Sequence, residues 1–293
     1  IKRLTDNNQW LIDVQLAKQE RVVYEARDGR EIEGVLIWPL NYTSGSRYPL
    51  IVHIHGGPEA CEKDGWQSTY SKWGQMAAAE GFFVFYPNYR ASTGRGVDYV
   101  MEGFGDPVGK EFEDVIDGID YLVNLGFVNK EKVGIGGGSY GGYFANWGAT
   151  KYTDRFAAAV SFVGISNTFS KALTTDIPQE DYLVHWGFYP HDKPEKYMER
   201  SPIAYVEGAT TPLLLLHGEE DPRVPTSQSY EMYRALKVHG AAPVRFVLYP
   251  DEGHGNAKNT NKLDYAIRTL EWFKYYLKDL GPKDKMPPLL LQW

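Results

Sequence analysis

Apolar and polar positions alternate along the chain in two distinct patterns. Short runs of apolar and β-branched residues predict buried strands, and longer stretches with apolar residues at helical spacing predict amphipathic helices. Strands are predicted at residues 22–26, 31–38, 50–55, 82–86, 133–136, 157–162, 212–217 and 244–249. Helices are predicted at residues 70–80, 110–125, 143–150, 227–239 and 263–280.

This order of elements predicts the fold class. The first two strands flank Asp28-Gly29, a pair typical of a tight hairpin, so the sheet should begin with antiparallel strands. The later strands alternate with helices, which indicates parallel strands joined by right-handed crossovers. We therefore predict an α/β protein with a mostly parallel eight-stranded sheet flanked by helices on both faces. In such sheets, ligands bind at the carboxyl ends of the strands.

The remaining segments predict how the chain is organised. Residues 1–20 are polar and aromatic without a clear period, which indicates a lead-in segment, whereas residues 21–285 hold the predicted domain. Residues 286–293 are predicted to form a surface tail. Residues 163–211 interrupt the alternation of strands and helices, which indicates an inserted, cap-like segment. Its aromatic residues allow two interpretations: ordinary packing, or the lining of an apolar substrate pocket, for which Trp186 is the candidate.

Charge and composition exclude some classes of function. The chain has 38 acidic and 31 basic residues, a net charge of −7, which argues against nucleic acid or an anionic membrane as a partner. The single cysteine, Cys61, excludes an internal disulfide. No apolar run approaches membrane-spanning length, and no signal peptide is visible. Because the chain begins at Ile1 and not at Met, its compartment stays open between cytoplasm and an exported location.

A Gly-x-Ser-x-Gly motif lies between the predicted strand 133–136 and the predicted helix 143–150. It reads Gly-Gly-Ser-Tyr-Gly at 137–141, with Ser139 at its centre. A serine on a tight strand-to-helix turn is the arrangement of a nucleophile elbow. The alternative is a glycine-rich turn with a solvated serine. The partners that a nucleophilic serine needs decide between the two.

A base and an acid are found at the carboxyl ends of later strands. His254 lies in a glycine-flanked loop after strand 244–249, where the alternative is an ordinary surface histidine. Asp221 lies in the loop after strand 212–217, with Glu219 and Glu220 as nearby competitors for the role of the acid. The order Ser139, Asp221, His254 along the chain is the order expected in an α/β-hydrolase.

Two backbone N–H groups are candidates for an oxyanion hole. One belongs to Tyr140, which follows the serine, and the other to Gly57 in the His-Gly-Gly-Pro sequence at 55–58. His53 and His55 form a His-x-His pair, but no third ligand supports a metal site, so we assign them to the structure of the strand end. No metal ion and no cofactor is predicted, and His217 is interpreted as structural.

These motifs together resemble the catalytic domain of the prolyl oligopeptidase family of serine peptidases, in its acylaminoacyl-peptidase and dipeptidyl-peptidase-like branch. The resemblance runs from about residue 21 to residue 280. Its motifs are at 55–58, 86–94, 137–142, 217–218, 221–224 and 253–254. It implies Ser139, Asp221 and His254 as the catalytic triad, and the N–H groups of Gly57 and Tyr140 as the oxyanion hole.

The resemblance also implies features beyond the triad. Arg223 occupies a position that reaches substrate in similar enzymes, with a structural salt bridge as the alternative. Members of the family usually carry an N-terminal β-propeller, and residues 1–16 are similar to the end of such a propeller and its linker. The chain is therefore expected to be either an excised catalytic domain or a relative without a propeller.

The expected activity is that of a serine hydrolase that cleaves peptide or acyl-peptide bonds through an acyl-enzyme. A carboxylesterase with the same triad, acting on small esters, is the first alternative, and a non-catalytic interaction protein on a hydrolase fold is the second. The expected partner is a peptide or small acyl substrate. The sequence leaves open the oligomeric state and the side chain preferred beside the scissile bond.

Overall fold

The computed structural model describes residues 4–67 and 69–289. Within them, one sheet has the strand order β1-β2-β4-β3-β5-β6-β7-β8. The strands are β1 (Gln19–Glu25), β2 (Glu31–Ile37), β3 (Tyr48–Ile54), β4 (Phe83–Asn88), β5 (Val128–Gly138), β6 (Ala158–Phe162), β7 (Leu213–Gly218) and β8 (Val244–Tyr249). β2 pairs antiparallel with β1 and β4, and the other neighbours are parallel. The predicted α/β class and eight-stranded sheet are confirmed.

Helices cover both faces of the sheet. In the described residues they are α1 (Gly74–Ala79), α2 (Val97–Met101), α3 (Lys110–Asn124), α4 (Tyr140–Thr150), α5 (Thr168–Thr174), α6 (Pro178–Glu180), α7 (Pro194–Glu199), α8 (Ser227–His239) and α9 (Asn259–Leu277). One apolar cluster joins α3, α4 and α8 to strand residues such as Leu50 and Val52. The other joins α1 and α9 to residues such as Ile51, which points to the opposite face because side chains alternate along a strand.

Several predicted boundaries differ from the observed ones. The strand predicted at 133–136 is observed as Val128–Gly138, and the helix predicted at 263–280 as Asn259–Leu277. The helix predicted at 70–80 is ordered as a helix only over Gly74–Ala79. The helix predicted at 143–150 begins earlier, at Tyr140, because the turn at Ser139 consists of a single residue between β5 and α4. The predicted helix at 227–239 and the predicted strand at 244–249 are observed with the same bounds.

A buried ion-pair network fixes the first hairpin and the end of β4 against α3. Arg90, which follows β4, is 3% exposed. Its Nε donates to Asp114 of α3 at 2.8 Å, and its Nη1 donates to Asp28 in the hairpin turn at 2.9 Å. The guanidinium thus joins two carboxylates from distant parts of the sequence, and the fork geometry of arginine suits this role.

The segment at 163–211 folds as short helical turns around a small core of its own. It contains α5, α6 and α7, a π-helical turn at Asp181–Trp186 and a 3-10 turn at Pro202–Tyr205. Trp186 is 4% exposed, and its ring stacks on that of Tyr197 with 4.0 Å between centroids. Ala172 completes this cluster. The aromatic residues at its centre therefore pack against one another.

The two ends of the chain are described only in part. The predicted lead-in begins with residues 1–3 and the predicted tail ends with residues 290–293, all of which lie outside the described residues. A short 3-10 turn, Gln9–Asp13, occupies the described part of the lead-in. In the tail, the carbonyl of Pro287 accepts a hydrogen bond from Arg245 at 2.6 Å. Over residues 4–67 and 69–289, no helix has both the length and the apolar character needed to cross a bilayer.

We predict that Gly142→Ala destabilises the fold. A Cβ at Gly142, in α4, would lie 2.7 Å from both the Cα of Gly164 and the carbonyl oxygen of Phe162, and backbone atoms cannot rotate away. The expected loss in free energy of unfolding is about 1–3 kcal/mol, measured by urea denaturation. Gly65→Ala is the control, because nothing lies within 4 Å of a Cβ built there. Equal denaturation midpoints for the two variants would contradict the prediction.

Candidate active site

Ser139 occupies a strained turn between β5 and α4. Its φ is 59° and its ψ is −119°, a backbone conformation that residues other than glycine rarely adopt. The turn packs directly on the end of β3. A Cβ at Gly137 would lie 2.3 Å from the carbonyl oxygen of Ile54, and one at Gly141 would lie 2.1 Å from the same atom. Glycine at both positions therefore permits the contact that holds the serine at the carboxyl edge of the sheet.

The structure brings Ser139, His254 and Asp221 into one hydrogen-bonded series. His254 Nε2 lies 2.9 Å from Ser139 Oγ, and His254 Nδ1 lies 2.7 Å from Asp221 Oδ2. Because a carboxylate only accepts hydrogen bonds, Nδ1 carries the proton, and Nε2 is free to accept the proton of the serine hydroxyl. The backbone N–H groups of Arg223 and Val224 donate to the other oxygen of Asp221, at 2.9 and 3.1 Å.

Asp221 is buried yet remains a strong acid. Burial opposes its ionisation, but hydrogen bonds from His217 and His254 outweigh this and lower the pKa of Asp221 to about 2. His217 itself is fully buried, with Nδ1 2.7 Å from Ser229 Oγ and Nε2 2.8 Å from the carbonyl oxygen of Val224. His217 Nε2 also lies 3.3 Å from Asp221 Oδ2, the carboxylate oxygen that faces His254 Nδ1.

The His-Gly-Gly-Pro loop lies against the serine. A Cβ at Gly56 would be only 3.2 Å from Ser139 Cβ, and Gly57 lines the same cleft as Ser139. Tyr89 supports this loop, because its hydroxyl donates to the carbonyl oxygen of His55 at 3.0 Å and its ring stacks on the imidazole of His55. The two strand-end histidines bond within the fold as well, since His53 Nε2 lies 2.8 Å from a backbone carbonyl oxygen.

The side chain of Tyr140 is hydrogen-bonded to a buried acid, Glu111, which the sequence motifs do not include. Its hydroxyl donates to Glu111 Oε1 at 2.5 Å, and the N–H of Val108 donates to the same oxygen. Glu111 is fully buried, and burial raises its pKa to about 8. The signal was present in the helical pattern, because Glu111 precedes the buried Val115 by one turn of α3 and so shares its face. Tyr140 is also the first residue of α4, where N–H groups have no partner within the helix.

A cleft with an empty volume of about 560 Å³ opens beside Ser139. The segment at 163–211 supplies much of its wall, but with aliphatic and charged residues and not with the aromatics suggested by the sequence. Its lining residues are Gly57, Ser139, Tyr140, Ile165, Lys171, Ile177, Glu180, His185, Arg223, Val224 and His254. Trp186 is not among them. The expectation for Trp186 is corrected by the structure, because its ring is committed to the packing against Tyr197.

Arg223 lies in the wall of the cleft and also forms a salt bridge, the alternative that the sequence left open to a contact with substrate. It lines the cleft, and its Nε donates to Asp176 Oδ1 at 2.7 Å in an ion pair whose side chains are both about two fifths exposed. Two further hydrogen bonds join these two segments. Thr175 Oγ1 donates to the carbonyl oxygen of Arg223 at 2.7 Å, and the N–H of Asp176 donates to the carbonyl oxygen of Pro222 at 3.0 Å. The loop that carries Asp221 is thereby fastened to the segment at 163–211.

A second hollow meets the first at the serine. It has an empty volume of about 950 Å³ and shares only Gly57, Ser139 and His254 with the cleft. Its walls include Cys61 and Phe162. Space is thus available along two directions from the Ser139–His254 pair. Among the described residues, no group of three or more histidine, cysteine or acidic side chains could hold a metal ion.

A serine on the turn after the fifth strand, followed along the chain by its acid and then its base, defines this chain as an α/β-hydrolase. The chain belongs to the prolyl oligopeptidase family, whose sequence profile matches residues 68–280.

Relatives and solved structures agree with this family. The chain is 34% identical over 285 residues to the uncharacterized peptidase YuxL of Bacillus subtilis (strain 168), covering 94% of this chain and 42% of that protein. It is 32% identical over 266 residues to the acylamino-acid-releasing enzyme of Mus musculus, covering 88% of this chain and 35% of that protein. The uncomplexed acylaminoacyl peptidase of Pyrococcus horikoshii superposes with a TM-score of 0.85 at 29% identity, covering 94% of this chain and 45% of that one.

A further solved structure contains an inhibitor. An acylaminoacyl peptidase in complex with Z-Gly-Gly-Phe-chloromethyl ketone superposes with a TM-score of 0.81 at 28% identity, covering 98% of this chain and 45% of that one. The chain thus spans about two fifths of the length of the curated relatives it matches.

We predict that Glu111 makes the fold less stable as pH rises. Its pKa is raised from 4.5 to about 8, so between these values the folded chain keeps a proton that the unfolded chain has released. The free energy of unfolding should therefore fall through this window, and Glu111→Gln should remove that fall while keeping the acceptor for Tyr140. The measurement is the melting temperature of both proteins from about pH 5 to about pH 8.5.

The expected result is that Glu111→Gln gains in melting temperature over the parent as pH increases. Glu131→Gln is the control, because that side chain is 75% exposed. Parallel curves for the parent and Glu111→Gln would show that Glu111 does not titrate between the folded and unfolded states as described.

Proposed function

We propose that this chain is a serine hydrolase that cleaves peptide or acyl-peptide bonds through an acyl-enzyme. The observation that carries the proposal is the series Ser139 Oγ, His254, Asp221, with bonds of 2.9 and 2.7 Å. A serine hydroxyl becomes an effective nucleophile when a neighbouring imidazole takes its proton. Membership of the prolyl oligopeptidase family and the names of the relatives support peptide or acyl-peptide bonds as substrates.

The proposed reaction starts with attack by Ser139 Oγ on the substrate carbonyl carbon while His254 Nε2 accepts the hydroxyl proton. Asp221 holds the imidazole in position and stabilises its positive charge. The N–H groups of Gly57 and Tyr140 stabilise the developing oxyanion. The C–N bond then breaks as the imidazolium gives its proton to the leaving amine. A water molecule, deprotonated by the same histidine, then attacks the acyl carbon, and the imidazolium returns that proton to Ser139 Oγ as the acyl–Oγ bond breaks and the acid leaves.

We further propose roles for the parts of the chain. Residues 21–285 form the catalytic unit, and the segment at 163–211 forms the wall of the substrate cleft. Arg223 is proposed to contact substrate from that cleft. Its position in the lining and its half-exposed guanidinium support this role. The two hollows that meet at Ser139 give room for substrate on both sides of the scissile bond.

Ser139→Ala is predicted to lower kcat by about 10⁴- to 10⁶-fold without a change in melting temperature, because the nucleophile is lost and the fold is not. The assay compares an N-acyl amino acid anilide with an aryl ester of the same acyl group. Labelling with a fluorophosphonate probe reports the reactive serine independently of substrate. Ser44→Ala is the matched control, since Ser44 is exposed and lies in a loop.

Two results would count against the proposal. Retention of turnover and labelling by Ser139→Ala would exclude Ser139 as the nucleophile. Hydrolysis of the ester with no cleavage of the anilide by the parent protein would favour a carboxylesterase over a peptidase.

A further inference from the structure

His217, near the end of β7, is a second histidine in contact with Asp221. Its Nε2 lies 3.3 Å from Asp221 Oδ2, and both side chains are 0% exposed. His254 Nδ1 lies 2.7 Å from the same oxygen. One carboxylate oxygen therefore faces two imidazoles, one from β7 and one from the loop after β8.

The partners of His217 determine which of its ring nitrogens carries a proton. Nε2 lies 2.8 Å from the carbonyl oxygen of Val224 as well as near the carboxylate of Asp221, and both of these groups only accept hydrogen bonds. Nε2 therefore carries the proton and shares it between two acceptors, in a three-centre hydrogen bond. Nδ1 lies 2.7 Å from Ser229 Oγ, which has no other partner among the described residues, so the hydroxyl donates to Nδ1. His217 is thus a neutral imidazole whose N–H is directed at Val224 and Asp221.

The bond from His217 to Val224 also acts on the other oxygen of the carboxylate. Val224 accepts from His217 through its carbonyl oxygen and donates its own N–H to Asp221 Oδ1 at 3.1 Å. The N–H of Arg223 donates to the same oxygen at 2.9 Å. His217 thus contacts one carboxylate oxygen directly and supports the residue that holds the other. A carboxylate held through both oxygens keeps one orientation, which leaves Oδ2 facing His254.

The N–H dipole of His217 also influences the charge of His254. Its positive end lies at the oxygen that faces His254 Nδ1, so it reduces the negative potential that would stabilise an imidazolium there. Because both side chains are buried, water screens this effect little. His217 therefore opposes protonation of His254, and the neutral form of His254 is the one that can accept the proton of Ser139.

We propose that His217 is a positioning residue for the acid of the triad: its N–H fixes the carboxylate of Asp221 and extends to lower pH the range in which His254 is a neutral base. This inference rests on the proposed function, because it assigns a role within the same catalytic series.

Other ionisable groups surround Asp221 and His254. Beside Asp221, Arg223 pairs with Asp176, and the buried Glu252 belongs to the loop of His254. The ionisable residues that line the cleft and the second hollow around His254 are Lys171, Glu180 and His185 in the cleft, and His53, His55, Cys61, Glu62, Tyr70, Lys72 and Tyr265 in the hollow. Because substitution at position 217 leaves all of them in place, a displaced pH profile reports the change at that position.

The test compares two amide substitutions that reproduce different ring nitrogens of His217. The amide nitrogen of His217→Gln can reach the place of Nε2 and keep a donor for Asp221, whereas the shorter amide of His217→Asn reaches only the place of Nδ1. The measurement is the rate at which a fluorophosphonate probe labels Ser139 from about pH 5 to about pH 9, a range that covers the titration of a histidine base. This rate depends on the same base and needs no knowledge of the substrate.

In His217→Asn, the acidic limb of the labelling profile should move to higher pH by about half a unit to one unit, as loss of one hydrogen bond predicts. His217→Gln should restore the limb of the parent. A merely structural role would lower the melting temperature without moving either limb. A limb at the parent's pH or at lower pH in folded His217→Asn would overturn the proposal, and so would an equal shift in His217→Gln.

Thr211→Val is the matched control for loss of stability. Thr211 lies just before β7, at the opposite end of the strand, and is 2% exposed. Its hydroxyl lies 2.9 Å from the carbonyl oxygen of Thr153 and 3.0 Å from that of Phe156. The variant should lower the melting temperature and leave the acidic limb unchanged. A limb displaced as far as in His217→Asn would show that instability alone moves the profile, which would overturn the assignment.

If His217→Asn does not fold, nitrogen NMR of the histidine-labelled parent provides an independent test. The signals of His217 are assigned by their loss in His217→Gln. The proposal requires the neutral tautomer with its proton on Nε2 throughout the pH range in which His254 titrates. Detection of the Nδ1–H tautomer or of an imidazolium at His217 in that range would overturn the proposal.

The outcome is separable from that of the proposed function. A parent protein that the probe does not label would refute the proposed function. A parent protein that is labelled with an acidic limb, together with folded variants whose limbs coincide with it, would refute this inference alone.

Discussion

The site depends on backbone segments that approach closer than any side chain would allow. The turn at Ser139 packs its flanking glycines onto the carbonyl oxygen of Ile54, which sets the distance between β3, β5 and α4. A second approach of the same kind lies beside the loops that carry Asp221 and His254. A Cβ at Gly218 would be 2.2 Å from the carbonyl oxygen of Gly253, so the end of β7 touches the loop that carries His254. Ser139, Asp221 and His254 are therefore spaced by main-chain contacts between the segments that carry them.

Buried carboxylates then fix the loops that these contacts bring together. Glu252 is 1% exposed, and its carboxylate accepts the N–H groups of Ala257 at 2.6 Å and Lys258 at 2.9 Å. The loop around His254 is thus closed over an acid whose hydrogen bonds are satisfied. Asp221 has the same character, with two backbone N–H groups on one oxygen and His254 on the other. Each carboxylate orders its loop by accepting backbone N–H groups. In Asp221, these bonds also hold the charged carboxylate beside the imidazole of His254.

The fold could be predicted from the sequence, and so could the three residues that the structure brings together in one hydrogen-bonded series, because each has a local signal. The strands are short apolar runs, and Ser139, Asp221 and His254 each follow such a run in the order that one fold class uses. The polar wall of the cleft has no such signal. Lys171 and His185 lie in one wall because α5 packs against a π-helical turn. The spacing of apolar residues does not predict a π-helical turn.

The mistaken expectation for Trp186 has a related cause. An aromatic residue in an inserted segment can pack in a small core or line a pocket, and the sequence does not show which way its ring points. Glu111 was missed for the opposite reason. Its position on the buried face of α3 was visible in the pattern, but the hydroxyl of Tyr140 that makes its burial tolerable comes from another helix. An ionisable residue on an apolar helix face therefore indicates a hydrogen-bond partner elsewhere in the fold, even when none is near in sequence.

The hydrogen bonds between residues 175–176 and residues 222–223 limit which other segments could take the place of residues 163–211. The segment at 163–211 has its own small core, and it interrupts the otherwise regular alternation of strands and helices. However, Thr175 and Asp176 bond to the backbone and the guanidinium beside Asp221. A foreign segment grafted here would have to reproduce those anchoring bonds, or it would release the loop that orients the histidine. In the proposed hydrolase, substitution within the segment would alter the cleft alone, whereas exchange of the whole segment would also alter the position of Asp221.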